Sequence, residues 1–447
     1  MTIAEFGRSF RAREISSEQA TVRCLERIGV DNDRLRAFTL VMADDALAQA
    51  RQADRELADG RDRGPLHGVP LSIKDLIDLR GTVTTAASAV RADAPPADAD
   101  APAVAHLREA GAVFVGKTNL HEFALGTTSE DTVFGAVRNP LDITRSAGGS
   151  SGGSAVSIVT GMALASVGTD TGGSIRIPAA ACGVVGLKPS YGEVSTDGVI
   201  PLSPRLDHVG PLAQSVEDAW ILFRILAGEL HPAPLSAARA PIRLKVLRPY
   251  FCDLLDEGVR ERFEATVDAL HRGGIRASDH ALTHAHVISR VYLKLAPREA
   301  FLYHQPTLDA TPEKYSPAVR QRLELGRTVS HDDFLTALNV QADLRDDVDA
   351  ALSNCDGLLL PTMPIPAPVL GVETVRIGDT DQPVRSMTLR DTQLFNLTGH
   401  PAISIPCGKT ADGLPVGLQL VGHHGRTDAL VRVALACETL LRIPQSH

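Results

Sequence analysis

The sequence predicts an α/β protein with a central mixed β-sheet covered by helices on both faces. Three observations carry this. Short apolar runs at 69–73, 112–115, 357–360, 402–405 and 416–421 have the length and composition of buried strands. Segments with helical spacing of apolar residues alternate with them, at 43–59, 102–110, 215–227 and 427–441. The composition, 44% hydrophobic and 22% charged over 447 residues, is that of an ordered globular chain with ample core.

The elements follow in order. The first sixty residues read as helices, and Ser16-Ser17-Glu18-Gln19 has the form of a capping box. Gly60 and Gly64-Pro65 end the helix at 43–59. Residues 82–100, rich in Ala, Pro, Asp and Thr, read as loop. Gly111 stops the helix at 102–110. The densest Gly and Ser content lies between 146 and 174. Ser215 is the expected N-cap of the next helix. Residues 231–241, with three prolines at 232, 234 and 241, read as a surface connection. Between 245 and 355 a strand is followed by several charged helices.

The charge balance, 45 basic against 54 acidic residues for a net −9, lacks the basic footprint of a nucleic-acid binder. Aromatic residues at 4% are too sparse for base-stacking platforms. The six cysteines are scattered, without CxxC pairs or zinc-finger spacing, and read as small buried thiols. The N-terminal residues have acids and arginines where a signal peptide carries an apolar core. No run approaches the roughly 20 apolar residues of a membrane helix. A cytoplasmic location, with no membrane or nucleic-acid partner, is the expectation.

Three motifs bear on chemistry. Gly111-Ala112-Val113-Phe114-Val115-Gly116-Lys117-Thr118 matches the phosphate-loop pattern GxxxxGK[ST] letter by letter. Its four variable residues are all apolar, which predicts a core strand and not a phosphate cradle. Gly148-Gly149-Ser150-Ser151-Gly152 matches the nucleophile-elbow pattern GxSxG. The residues before it, 142–147, do not read as the buried strand such an elbow needs. The third signal is a constellation. Lys74 ends the apolar run Val69-Pro70-Leu71-Ser72-Ile73. Burial there lowers a lysine pKa toward neutrality and makes a general base; a pairing of Lys74 with Asp75 is the structural alternative. Two Gly/Ser-rich loops follow, Gly148–Ser154 and Gly168–Pro178, each with a serine preceded by two glycines. Such loops bare backbone amides beside a hydroxyl, as an oxyanion hole requires.

Lys74 and these two loops together resemble the amidase signature family. Further family-like segments are Gly116-Lys117-Thr118-Asn119, Arg138-Asn139-Pro140, Gly186-Leu187-Lys188-Pro189, Leu206–Pro211 and Gly413–Gln419. The resemblance implies an amidase-signature-type α/β fold across 1–447 as one domain. Within it, 1–60 would be N-terminal helices and 66–225 the catalytic core. Residues 230–380 would be a variable helical region on the substrate side, and 385–447 the strands and helix that complete the core.

Carried over residue by residue, the resemblance implies a Ser–cisSer–Lys triad. Ser174 is the nucleophile, Ser150 the bridging serine on a cis peptide bond, and Lys74 the base. The backbone amides of Thr171, Gly172, Gly173 and Ser174 form the oxyanion hole. Asp170, Arg176 and Ser151 support the loops. Leu125, Gly126 and Thr127 match a segment that borders the acyl pocket in relatives. No metal or other cofactor is implied.

The expected function is that of a stand-alone serine hydrolase cleaving the C–N bond of small amides, aliphatic or aryl, with carbamates (urethanes) and esters in the same chemical class. Its partner would be a small-molecule amide or carbamate, and a homodimer is the default oligomer. The alternative is the glutaminase component of the tRNA-dependent amidotransferase that acts on Glu-tRNA(Gln) or Asp-tRNA(Asn). Against the alternative stand Ile177 after Arg176, the stretch Phe395–Pro401, and a chain somewhat short for that component.

Overall fold

The computed structural model describes residues 1–442. The chain opens on α1 (Ile3–Arg11) and α2 (Ser17–Leu35), each started by a full capping box, Thr2 with Glu5 and Ser16 with Gln19. Between α2 and α3 (Ala43–Ala58) lies a short strand, β1 (Phe38–Val41), that the sequence does not announce. Only Phe38 of its four residues is buried, so it has no alternating pattern to read. Then come β2 (Pro70–Lys74), α4 (Pro102–Glu109) and β3 (Val113–Thr118). A small hairpin of β4 (Arg138–Asn139) and β5 (Asp142–Ser146) stands apart from the main sheet. The catalytic-loop region follows as α5 (Gly152–Val159), β6 (Ala165–Asp170), α6 (Arg176–Cys182), β7 (Val185–Lys188), β8 (His208–Ala213) and α7 (Val216–Leu226). Ser215 caps α7, its side chain accepting from the Asp218 amide.

The second half runs β9 (Arg243–Leu247), α8 (Glu257–Arg272), β10 (Arg276–His280), α9 (Ile288–Ala310), α10 (Pro317–Arg327), α11 (His331–Leu352) and β11 (Gly357–Pro361). A hairpin of β12 (Thr374–Ile377) and β13 (Thr380–Pro383) leads to α12 (Val384–Leu389) and α13 (Leu394–Leu397). The chain closes with β14 (Ala402–Lys409), β15 (Pro415–Val421) and α14 (Thr427–Arg442).

Eleven strands form one mixed sheet in the order β1-β3-β2-β6-β8-β7-β14-β15-β11-β9-β10. The pairs β2/β3, β2/β6, β9/β10 and β9/β11 are parallel; the others are antiparallel. Helices cover both faces, as period-two alternation along β15 shows. Leu418 and Leu420 pack into the core shared with α7, α8 and α14. Gly417 and Gln419 point the other way, toward Ala180 and Arg176 of α6. All six cysteines are free and buried. Among the described residues no helix is long and apolar enough to cross a membrane.

Candidate active site

Side-chain alternation on β2 aims two polar residues at one face of the sheet. Ser72 bonds Ser157 of α5 at 3.0 Å and donates to Ser166 of β6 at 2.8 Å. Two residues on, Lys74 shares that face and reaches the loop that leads into α5. Its Nζ donates to Ser150 Oγ at 2.8 Å and to Thr169 Oγ1 at 2.7 Å. Parallel pairing of β2 with β6, Ile73 opposite Val167, sets Thr169 near the end of β2. Asp75 turns away and pairs with Lys117 at 2.8 Å. So Lys74 is not held by its sequence neighbour. Lys74 is fully buried, and that burial pulls its pKa down to about 7 against the opposing charges of Asp170 and Asp207.

The same arrangement settles both motif matches. Lys117, the lysine of the GxxxxGK[ST] match, sits in the buried strand β3 and is committed to Asp75, Thr84 and the Val83 carbonyl. In the GxSxG match, Ser150 takes its hydrogen bond from Lys74. His400 is bonded to Thr398 and Asp349, and His423 to the Cys355 carbonyl, so neither serves an elbow serine. The preceding segment is a strand after all, β5, but only Ser146 of its five residues is buried.

The Gly149–Ser150 peptide is cis. Ser129 holds that loop: its Oγ donates to the Gly148 carbonyl at 2.9 Å and accepts from the Gly152 amide at 3.2 Å. Ser151 joins the two Gly/Ser-rich loops. Its amide donates to the Ser174 carbonyl at 3.2 Å, and its Oγ to the Thr169 carbonyl at 3.2 Å. Ser174, 5% exposed, lies between β6 and α6. The Ile175 and Arg176 amides are taken by Asp170 Oδ2 at 3.1 and 3.4 Å. The four amides before them, of Thr171, Gly172, Gly173 and Ser174, donate to no acceptor among the described residues. Unspent donors beside a hydroxyl can stabilise a developing oxyanion. Two glycines are needed there. A Cβ on Gly172 would come within 2.4 Å of the Tyr292 hydroxyl. Gly173 has φ +140° and Thr392 Oγ1 2.3 Å from its would-be Cβ.

Beneath the loop lies a fully buried polar cluster. Arg176 donates to both Asp170 oxygens at 3.0 and 2.9 Å, to the Thr392 carbonyl at 3.0 Å, and to Gln419 Oε1 and Asn396 Oδ1 at 2.7 Å each. Asn396 returns a bond to Asp170 at 2.8 Å. Burial alone would raise the Asp170 pKa, but Arg176, Lys188 and Asn396 hold it well below the usual carboxylate range. Thr171 Oγ1 donates to Asp207 at 2.6 Å, and burial pushes the Asp207 carboxyl up to about 7. Replacing Arg176 by leucine leaves Asp170 buried and unpaired. The expected loss is about 3–5 kcal/mol of stability, read as a lower denaturant midpoint. An unchanged midpoint would contradict a supporting role for this pair.

Every residue singled out from the sequence is thus placed. Lys74, Ser150, Ser151, Asp170, Thr171, Gly172, Gly173, Ser174 and Arg176 are brought into one cluster. Leu125, Gly126 and Thr127 lie beside it: Gly126 stacks on the His121 ring, and Thr127 accepts from Thr388 Oγ1 at 2.9 Å. Sequence reasoning missed Thr169, Ser129, Tyr292, Thr392, Asn396 and Gln419. Thr169 sits inside a quoted loop, and Asn396 and Gln419 lie in the quoted stretches Phe395–Pro401 and Gly413–Gln419 without a role having been read for them; Ser129, Tyr292 and Thr392 carry no local mark. Among the described residues no group of three His, Cys, Asp or Glu side chains is placed to hold a metal.

A family model described as Amidase matches residues 19–431. The A subunit of a glutamyl-tRNA(Gln) amidotransferase from Carboxydothermus hydrogenoformans is 37% identical over 98% of this chain and 96% of its own. Other curated relatives of the same name, at 34–38% identity, cover nearly the whole chain. Among solved structures, one described as an amidase superposes with TM-score 0.93 at 39% identity, covering 98% of this chain and 99% of its own. The corresponding amidotransferase component of Thermotoga maritima has TM-score 0.78 at 30% identity, over 98% and 94%.

These relatives correct the expectation of a stand-alone small-amide hydrolase whose partner is a small molecule alone. They favour the amidotransferase alternative and point to protein partners. The sequence arguments against that alternative fail on physical grounds. Ile177 and, from the stretch Phe395–Pro401, Phe395 and Leu397 are fully buried in one core cluster, so their identities report packing. Length does not separate the chain from relatives it covers to 96%. The composition of one chain is also silent about contacts made by an assembly. With the family model matched over most of its length and the site geometry in place, this chain belongs to the amidase family.

Proposed function

We propose that this chain is the glutamine-hydrolysing component of a tRNA-dependent amidotransferase. The observation that carries the reading is near-full-length similarity to curated A subunits of glutamyl-tRNA(Gln) amidotransferases, on a chain in which Lys74, Ser150 and the Ser174 loop are assembled. In the mechanism, neutral Lys74 takes the Ser150 proton and Ser150 takes the Ser174 proton. Ser174 Oγ attacks the side-chain amide carbon of glutamine, and the oxyanion faces the amides of Thr171 to Ser174. The proton returns through Ser150 to the leaving nitrogen, and ammonia departs. Water, deprotonated by the same relay, attacks the acyl carbon and releases glutamate and Ser174. The ammonia serves the partner proteins, which amidate the glutamyl group on tRNA.

The test compares ammonia release from glutamine by the chain alone with release by the chain co-purified with the other amidotransferase components and supplied with Glu-tRNA(Gln). Glutamine turnover is expected to rise several-fold in the complex. Rapid hydrolysis of neutral aliphatic amides by the chain alone, with no response to the added components, would overturn the assignment.

A further inference from the structure

Among the described residues, the Arg385 guanidinium near the Ser174 loop stands without an anion. Arg385 lies in α12, one turn before Thr388 and Leu389 and so on their side of the helix. That side faces the site. Thr388 bonds Thr127, Leu389 Cδ2 is 3.0 Å from where a Gly172 Cβ would stand, and Thr392 Oγ1 donates to the Gly172 carbonyl at 2.6 Å. The Arg385 charge acts on Tyr292, whose hydroxyl lies on Gly172, and on His121, whose ring lies on Gly126.

None of these neighbours supplies a negative charge. Burial pushes the Tyr292 phenol up to about 12 and the His121 imidazole down to about 4, so both are neutral near pH 7. The nearby Arg322 is already engaged, with Asp131 at 3.5 Å, the Leu125 carbonyl at 2.9 Å and His121 at 3.0 Å. The Arg385 guanidinium has no hydrogen-bond or ion-pair partner among the described residues, and the residue remains partly open to solvent. Desolvation, with repulsion from Arg322, lowers its pKa to about 10, which still leaves it cationic at neutral pH. A desolvated charge without a counter-ion is costly unless a ligand provides one, and a guanidinium matches a carboxylate with two parallel hydrogen bonds.

We propose that Arg385 is the carboxylate-recognising residue of the acyl pocket, selecting substrates whose acyl portion carries a carboxylate. The inference rests on Ser174 being the nucleophile, and it deepens the glutamine reading, since glutamine presents a carboxylate on the acyl side of its scissile amide.

The experiment compares kcat/KM for mono(4-nitrophenyl) glutarate with that for 4-nitrophenyl pentanoate, which lacks the carboxylate. The wild-type chain should favour the anionic ester, and Arg385→Gln should lower the ratio about tenfold or more, chiefly through KM. Arg385→Lys should restore part of it. A second readout needs no turnover: glutarate titrated calorimetrically should bind the wild-type chain and not Arg385→Gln. A wild-type ratio near one, a ratio unchanged in Arg385→Gln, or no glutarate binding to a folded wild-type chain would overturn the proposal. Should the ratio respond while the assembled complex ignores glutamine, the glutamine reading falls and the carboxylate site stands. Should Ser174→Ala keep full ester turnover, it is the nucleophile assignment that falls.

Discussion

Ser174→Ala is expected to abolish glutamine hydrolysis, with kcat reduced about 10⁴-fold or more, the scale seen when a nucleophile is removed from a cooperative catalytic unit. The fold should be unaffected. Ser174 Oγ has no hydrogen-bond partner among the described residues, so its removal orphans nothing, and alanine fits any space a serine occupies. The loop keeps its anchors, because the Ile175 and Arg176 amides still reach Asp170 and the Ser151 amide still reaches the Ser174 carbonyl. The measurement pairs ammonia release with labelling by a serine-directed fluorophosphonate. Loss of both in a protein with an unchanged melting temperature is the expected result. Undiminished turnover would remove Ser174 from the mechanism.

The second large effect concerns Lys74. Its replacement by methionine keeps the length and apolar stem but removes the base, and should cost about 10²–10⁴-fold in rate. Arginine should not rescue it, since a guanidinium stays protonated throughout the accessible range. The wild-type pH profile carries the sign. Desolvation places the Lys74 pKa at about 7, and the neutral amine is the active form. Activity should therefore climb about tenfold per pH unit below 7 and level off above it, as the protonated fraction disappears. Asp207, with a pKa raised to about 7 by burial, titrates in the same range and its charge favours protonated Lys74. The observed midpoint thus belongs to the pair. A rate that falls steadily from about pH 6 to 9 in a stable enzyme would contradict Lys74 as base.

The corrected expectation about partners shows where single residues mislead. Ile177 and the stretch Phe395–Pro401 invited a functional reading, yet Ile177, Phe395 and Leu397 are core residues whose choice follows neighbouring volumes. Similarity spread over nearly the whole chain outweighs such local differences. The unpaired Arg385 left no trace in the sequence at all: an arginine in a short helix reads as surface until its surroundings are known.

What the sequence determined by itself was local. Helix starts at Ser16 and Ser215, the strand at β2, and the loops bearing Ser150 and Ser174 are each encoded within a few residues, because caps, periodicity and glycine freedom act over one or two turns of chain. Tertiary structure alone decided the partners. Lys74 meets Ser150 across 76 residues and Thr169 across 95. Arg176 is completed by Asn396 and Gln419 across 220 and 243. Lys117 takes Asp75, leaving Lys74 to the serines. A charged or polar side chain announces that it needs a partner when buried, but which partner it finds depends on how the sheet orders its strands, and that order is settled by packing between segments distant in the chain.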